Sequence, residues 1–220
     1  MKNSINPTKQ NIRIKQYLGW FVTFVFPLAA KQLMEITLMP IAVAIFYWIA
    51  CGILLRYTMY KSLPYFKPQC KKVTKEIIIL FLVTFICAFL YNRYNIVTYA
   101  KINKDLIISV IIFTVLNGIF EPLVWVNIFD LAGNKLKING FLAAFIYTIL
   151  MHFLFWNRII SFPQGNRSLF IICQGIMFII SFVIYAKTED ITIFSIQQII
   201  YNLILVLFGG FGVSSFLNIK

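Results

Sequence analysis

The chain has 220 residues, 60% of them hydrophobic and only 12% charged, and its mean hydropathy is +0.84. A soluble domain is about 45 to 50% apolar and about 25% charged, and one aqueous core of this size still leaves much of its surface in water, so a soluble globular protein is excluded. The net charge of +13 is spread over short loops between apolar blocks, which suits loops held at an anionic membrane surface and argues against nucleic-acid binding.

Residues 1–16 form a polar, basic arm with Lys2, Lys9, Arg13 and Lys15. No small-residue cleavage pattern closes the apolar block after it, so no cleavable signal peptide is expected. From Tyr17 to Leu55 the chain is almost wholly apolar, interrupted chiefly by Lys31, Gln32 and Glu35. A bilayer core takes about 20 helical residues, so this stretch predicts two spans, 17–33 and 36–55, joined by a tight turn and bent at Pro27 and Pro40. A basic loop follows at 56–76, and further spans are predicted at 77–92, 106–129 and 138–156. The run Ser161 to Arg167 is a turn cluster, with spans at 168–186 and 192–214 after it and the charged turn Lys187, Glu189, Asp190 between them.

Many of these blocks are rich in Ile, Val and Phe, which in water favour strands. In lipid an isolated strand leaves its backbone unpaired, so only helices and closed barrels cross. Runs such as Ile77 to Val83 lack the strict alternation of barrel strands. The expected fold is therefore all-α, a polytopic transmembrane helical bundle of about seven spans, forming one domain from residue 17 to residue 220. With the N-terminus inside, the cytoplasmic side receives 13 Lys and Arg and the other side 7, the bias that predicts an N-in protein of the cell membrane. Cys51, Cys70, Cys87 and Cys173 form neither a disulfide framework nor a C-x-x-C metal pair.

Ionisable groups inside spans are costly and face protein or a wet cavity. Glu121 stands near the middle of the fourth predicted span, directly before Pro122, which should bend the helix. His152, the only histidine, stands in the fifth. Gln198 and Asn202 lie four apart in the seventh span and share a helical face, and Asn117 has the same relation to Glu121. Each has a purely structural reading, as a neutral acid or an amide bonded across the bundle. Together, a carboxylate and an imidazole suit water activation, and two amide donors suit a developing oxyanion. The same groups also suit a cation path or a proton relay. They make a poor metal site, since Gln and Asn are weak ligands and no second histidine exists, so neither a metal nor another cofactor is expected.

The order and spacing of these residues resemble the CAAX-processing and bacteriocin-processing (CPBP) family of intramembrane glutamic proteases, over roughly residues 106 to 205. The family's Glu-Glu-x-x-x-Arg motif aligns with Glu121 to Val126, its Phe-x-x-x-His with Thr148 to His152, and its His-x-x-x-Asn with Gln198 to Asn202. The resemblance implies Glu121 as the base, His152 as its partner in activating water, and Gln198 and Asn202 as oxyanion donors. Pro122 stands where the family has its second Glu, Val126 where it has Arg, Thr148 where it has Phe and Gln198 where it has His, so the Arg–carboxylate fork is not built there. Three functions are compatible with this pattern: a protease-like protein acting on a peptide at the membrane, a non-enzymatic relative binding a peptide or membrane-protein partner, as in bacteriocin self-immunity or regulation, and a small transporter subunit. Besides membrane lipids, a peptide or membrane protein is the expected partner.

Overall fold

The computed structural model describes residues 9–94, 102–133, 137–159, 167–209 and 211. Among these residues there is no strand, and, apart from the 3-10 turn Cys70–Lys72 and the short helical piece Asn157–Ile159, the helices join end to end into seven rods. They are α1 (Lys9–Thr37), α2 (Pro40–Tyr60), α3 (Thr74–Tyr94), α4 (Lys104–Gly133), α5 (Lys137–Trp156), α6 (Arg167–Thr188) and α7 (Thr192–Phe208). Five stretches are long and apolar enough to cross a membrane, namely Pro40–Tyr60, Thr74–Arg93, Lys104–Gly133, Lys137–Trp156 and Ile171–Thr188. The chain is thus an all-helical, membrane-embedded protein. Large apolar side chains such as Phe24, Leu82, Phe89 and Phe153 stand on its outer surface, a liability in water and the natural covering against hydrocarbon.

Several rods extend past the expected span limits. Residues 9–16, expected in the polar arm, belong to α1, and Arg56 and Asp130, expected in loops, belong to α2 and α4. Pro40 does not bend α2 but opens it as the first helical residue, where its missing N–H costs nothing. Leu38 takes the left-handed conformation (φ 53°) that ends α1 just before. Pro122 lies inside a helix that runs on past it to Gly133. Residues 1–8, the turn cluster at 161–166 and the end of the last predicted span at 212–214 lie outside the described residues.

The core is organised around α4. Its residues from Leu123 to Phe129 are all buried, so neighbours cover it on every side. Small residues permit the closest approaches: a methyl group added at Gly19 of α1 would lie 2.6 Å from the Ala132 nitrogen, and one at Gly118 would lie 2.6 Å from Ile199 Cγ1 of α7. Gly133 and Gly140 touch where α4 and α5 fold back on one another. Glycine at such crossings lets backbones meet without the hydrophobic drive that water supplies.

Three π-helical turns interrupt the rods, Trp48–Leu54 in α2, Val110–Leu116 in α4 and His152–Trp156 in α5. A π turn disturbs the regular i→i−4 ladder, and a polar group left bare in lipid is expensive. Two buried amides cover the exposed carbonyls. Asn127 Nδ2 donates to the Cys51 and Gly52 carbonyls of α2 at 2.7 Å each, and Asn202 Nδ2 donates to the Phe113 carbonyl of α4 at 3.2 Å. Near Pro122, which supplies no N–H of its own, the Tyr65 hydroxyl from the α2–α3 loop donates to the Ile119 carbonyl.

Candidate functional site

Glu121 is 1% exposed, in the part of α4 that follows the π turn. Its carboxyl group accepts a 3.0 Å hydrogen bond from the Trp156 indole N–H of α5, and the side chains of Asn117 and Tyr47 lie close to it. Tyr47 in turn accepts from Trp48 Nε1 at 2.6 Å. Around this chain of donors the rings are packed face and edge: Trp48 is stacked with Phe120, and Tyr47 lies edge-on to Phe155 and Trp156. A carboxyl group from α4 is therefore enclosed by aromatic side chains of α2 and α5.

His152 begins the π turn of α5 and is partly exposed. Its Nδ1 lies 2.9 Å from the Thr148 carbonyl in the preceding turn of the same helix. The bond is intrahelical, so the histidine is not a strut between helices. A carbonyl only accepts, so Nδ1 is the donor in this bond. His152 is close enough to Glu121 to act on its carboxyl group electrostatically.

His152 and Gln198 line one cavity of about 230 Å³, with Trp125 and Phe194 on its inner wall and Gln174 and Gly175 on α6. The cavity is a cleft between α5 and α6. Toward the α5 start the two helices are sealed by rings, Phe141 and Phe145 against Phe178 and Phe182. Toward His152 they part. Gly175 has no atom within 4 Å of where a side chain would begin. The rim residues Ile149, Phe153 and Ile171 are exposed on the outer surface, so the cleft opens sideways toward lipid.

Of the four residues expected to form one site, the structure brings His152 and Gln198 together in the cleft, keeps Glu121 within electrostatic range behind it, and turns Asn202 onto the Phe113 carbonyl. Neither Glu121 nor Asn202 lines the cleft. Sequence reasoning passes over Tyr47, Trp48 and Trp156, the groups that enclose Glu121. Trp156 does stand four residues after His152, the one spacing that could have flagged it. Among the described residues no three His, Cys, Asp or Glu side chains stand together as metal ligands.

A second polar cluster lies at the other end of α4. Arg56 is buried and pairs with Asp130 at 2.5 Å, stands over the Tyr60 ring at 4.3 Å and donates to the Ser62 carbonyl at 3.3 Å, while the Tyr185 hydroxyl of α6 donates to the same Asp130 oxygen. It ties α2, α4 and α6 at the end of the bundle where α1 begins. At the opposite end Arg158 pairs with Glu35, near the end of α1. Comparisons of the chain with protein-family models, with curated proteins and with solved structures find no match.

Proposed function

We propose that this chain is a CPBP-like intramembrane endopeptidase, crossing the cell membrane seven times with its N-terminus in the cytoplasm, that draws a peptide segment from the bilayer into the α5–α6 cleft. Glu121 and His152 activate water, and Gln198 donates to the developing oxyanion. The observation that carries this reading is the meeting of His152 and Gln198, from separate helices, in one lipid-facing cleft with Glu121 in electrostatic range of the imidazole. Seven crossings are supported by α1, which at 29 residues is about 44 Å long and runs from Ala132 at one end of the bundle to Arg158 at the other. The 17 residues of α7, about 25 Å, suffice when its ends lie slightly below the surface.

The test is peptide turnover by the reconstituted protein. Glu121→Gln keeps the shape and hydrogen-bonding reach of the side chain and removes its basicity. It should lower cleavage by about 10²-fold or more, the usual worth of a general base, with insertion and unfolding midpoint unchanged. Undiminished turnover in that variant defeats the proposal.

A second reading, a non-enzymatic relative that binds a peptide or membrane-protein partner, is favoured by one observation: Glu121 is closed in by Tyr47, Asn117 and Trp156 and does not line the cleft. The spending of Asn202 on a backbone carbonyl points the same way. On this reading a captured peptide is recovered intact from the purified protein, and its hydrolysis by wild type but not by Glu121→Gln excludes it.

A further inference from the structure

We infer that Cys87 of α3 and Cys173 of α6 are a dithiol pair that an apolar hydroperoxide closes reversibly into a disulfide, tying the two helices together inside the bundle. Neither cysteine lines the α5–α6 cleft, and the pair's chemistry is the same whatever the cleft binds. The bond would fix to α3 the stretch of α6 that carries Ile171, Gln174 and Gly175 in the cleft wall.

The two cysteines are far apart along the chain, so their spacing shows no disulfide framework, and the fold brings them together. α3 packs along α6, and the side chains of Cys87 and Cys173 lie close to one another. Both thiols are free and buried, at 4% and 3% exposed. The register of the two helices gives the same answer independently. Lys187, near the end of α6, pairs with Glu76, near the start of α3, so the helices run antiparallel. Counted from that ion pair, Cys87 is about 17 Å along α3 and Cys173 about 21 Å back along α6, and the length of the lysine side chain covers the difference.

The buried faces of both helices also carry small residues, Thr84, Cys87 and Ala88 on α3 and Cys173 and Ser181 on α6. Small side chains let helices approach closely, and a disulfide needs its α-carbons about 5.5 to 6 Å apart. Tyr201 of α7 stands near both cysteines, is fully buried, and its hydroxyl has no hydrogen-bond partner among the described residues. Sulfur is a weak acceptor. The hydroxyl gains a partner when one cysteine carries oxygen.

The oxidant must reach buried sulfur through hydrocarbon, which a lipid hydroperoxide does. One thiol takes its terminal oxygen, giving a sulfenic acid and releasing the alcohol. The second sulfur then attacks the first, the S–S bond forms, and the hydroxyl leaves as water with the second thiol's hydrogen. The sulfurs give up two electrons, and the hydroperoxide accepts them. Because the second thiol is held beside the first, its effective concentration is high, and the disulfide forms ahead of further oxidation. In the N-in orientation proposed above, α3 ends and α6 begins on the outer side, the compartment in which disulfides persist.

The experiment uses the full-length chain in phosphatidylcholine nanodiscs, with Cys70→Ser removing the exposed thiol. The protein is treated with cumene hydroperoxide, denatured in detergent, and tagged on its remaining thiols with a polyethylene-glycol maleimide. Without oxidant it should take a tag on each of Cys51, Cys87 and Cys173. After oxidation it should keep only the tag on Cys51, and dithiothreitol should restore the others. Adding Cys87→Ser or Cys173→Ser should protect the tags that remain from the same treatment. If those variants fail to fold, the unmodified chain decides: proteolysis without reduction should yield a peptide joining Cys87 to Cys173, lighter by two hydrogen atoms than its parts. Retention of every tag after oxidation overturns the inference. So does a loss that dithiothreitol does not reverse, or one that persists when Cys87 is replaced.

Discussion

Asn127 is fully buried in α4 and directs its amide nitrogen at two carbonyls of the α2 π turn, while Asn202 directs its own at one carbonyl of the α4 π turn. The difference between two short bonds and one longer one sets an order of effects. Interhelical hydrogen bonds in membranes average about 0.6 kcal/mol and reach about 1.7, since a bare group in the unfolded state also finds partners. Asn127→Leu should therefore destabilise the protein by about 1 to 2 kcal/mol and Asn202→Leu by about 0.6 kcal/mol, read from unfolding in mixed detergent micelles. An Asn202→Leu protein that keeps its stability but loses peptide cleavage would return that residue to the oxyanion role. The sequence reveals that Asn202 sits in a span and shares a face with Gln198. It does not reveal the π turn at Val110–Leu116, because one extra residue per turn leaves no mark on an unbroken apolar run, and without that turn the amide has no visible partner.

At the level of helices, the number and order of rods follow from apolar runs of about 20 residues, and their ends do not. Arg56 and Asp130 are read as loop residues because each alone is expensive in lipid. Paired with one another and with Tyr185, they let α2 continue to Tyr60 and α4 to Gly133. The surroundings of Glu121 are hidden for a related reason: an aromatic residue adds the same hydropathy whether it faces lipid or a carboxyl group. Phe153 is 64% exposed and Phe155, two positions on, is fully buried beside Tyr47. Removing one partner of a buried pair strands the other, at about 3 to 5 kcal/mol when both are dry. Asp130 keeps 22% of its side chain exposed, so Arg56→Met should cost less, about 2 to 3 kcal/mol. The double variant Arg56→Met/Asp130→Leu should recover to within about 1 kcal/mol of wild type, measured as a double-mutant cycle. Additive losses would mean that the pair is not coupled.

For the molecule as a whole, the uneven charge is organised by the ends of the bundle. Glu76–Lys187 and Arg56–Asp130 lie at the end where the α2–α3 loop meets the α6–α7 turn. There the Ile191 N–H donates to the Pro64 carbonyl and the Lys67 N–H to Asp190, both at 2.8 Å. Lys61, Lys71, Lys72 and Lys75 belong to the same end. This density of lysine is what the positive-inside rule assigns to the cytoplasm, and the rule can be checked on the unmodified chain. Cys70 lies in that loop and is exposed, whereas Cys51, Cys87 and Cys173 are buried. A membrane-impermeant maleimide should therefore leave intact cells unlabelled and react with the protein in inverted vesicles, and Cys70→Ser should abolish the signal. Labelling of Cys70 from outside intact cells would turn the bundle over, placing the Arg158–Glu35 end and the mouth of the cleft nearest His152 toward the cytoplasm.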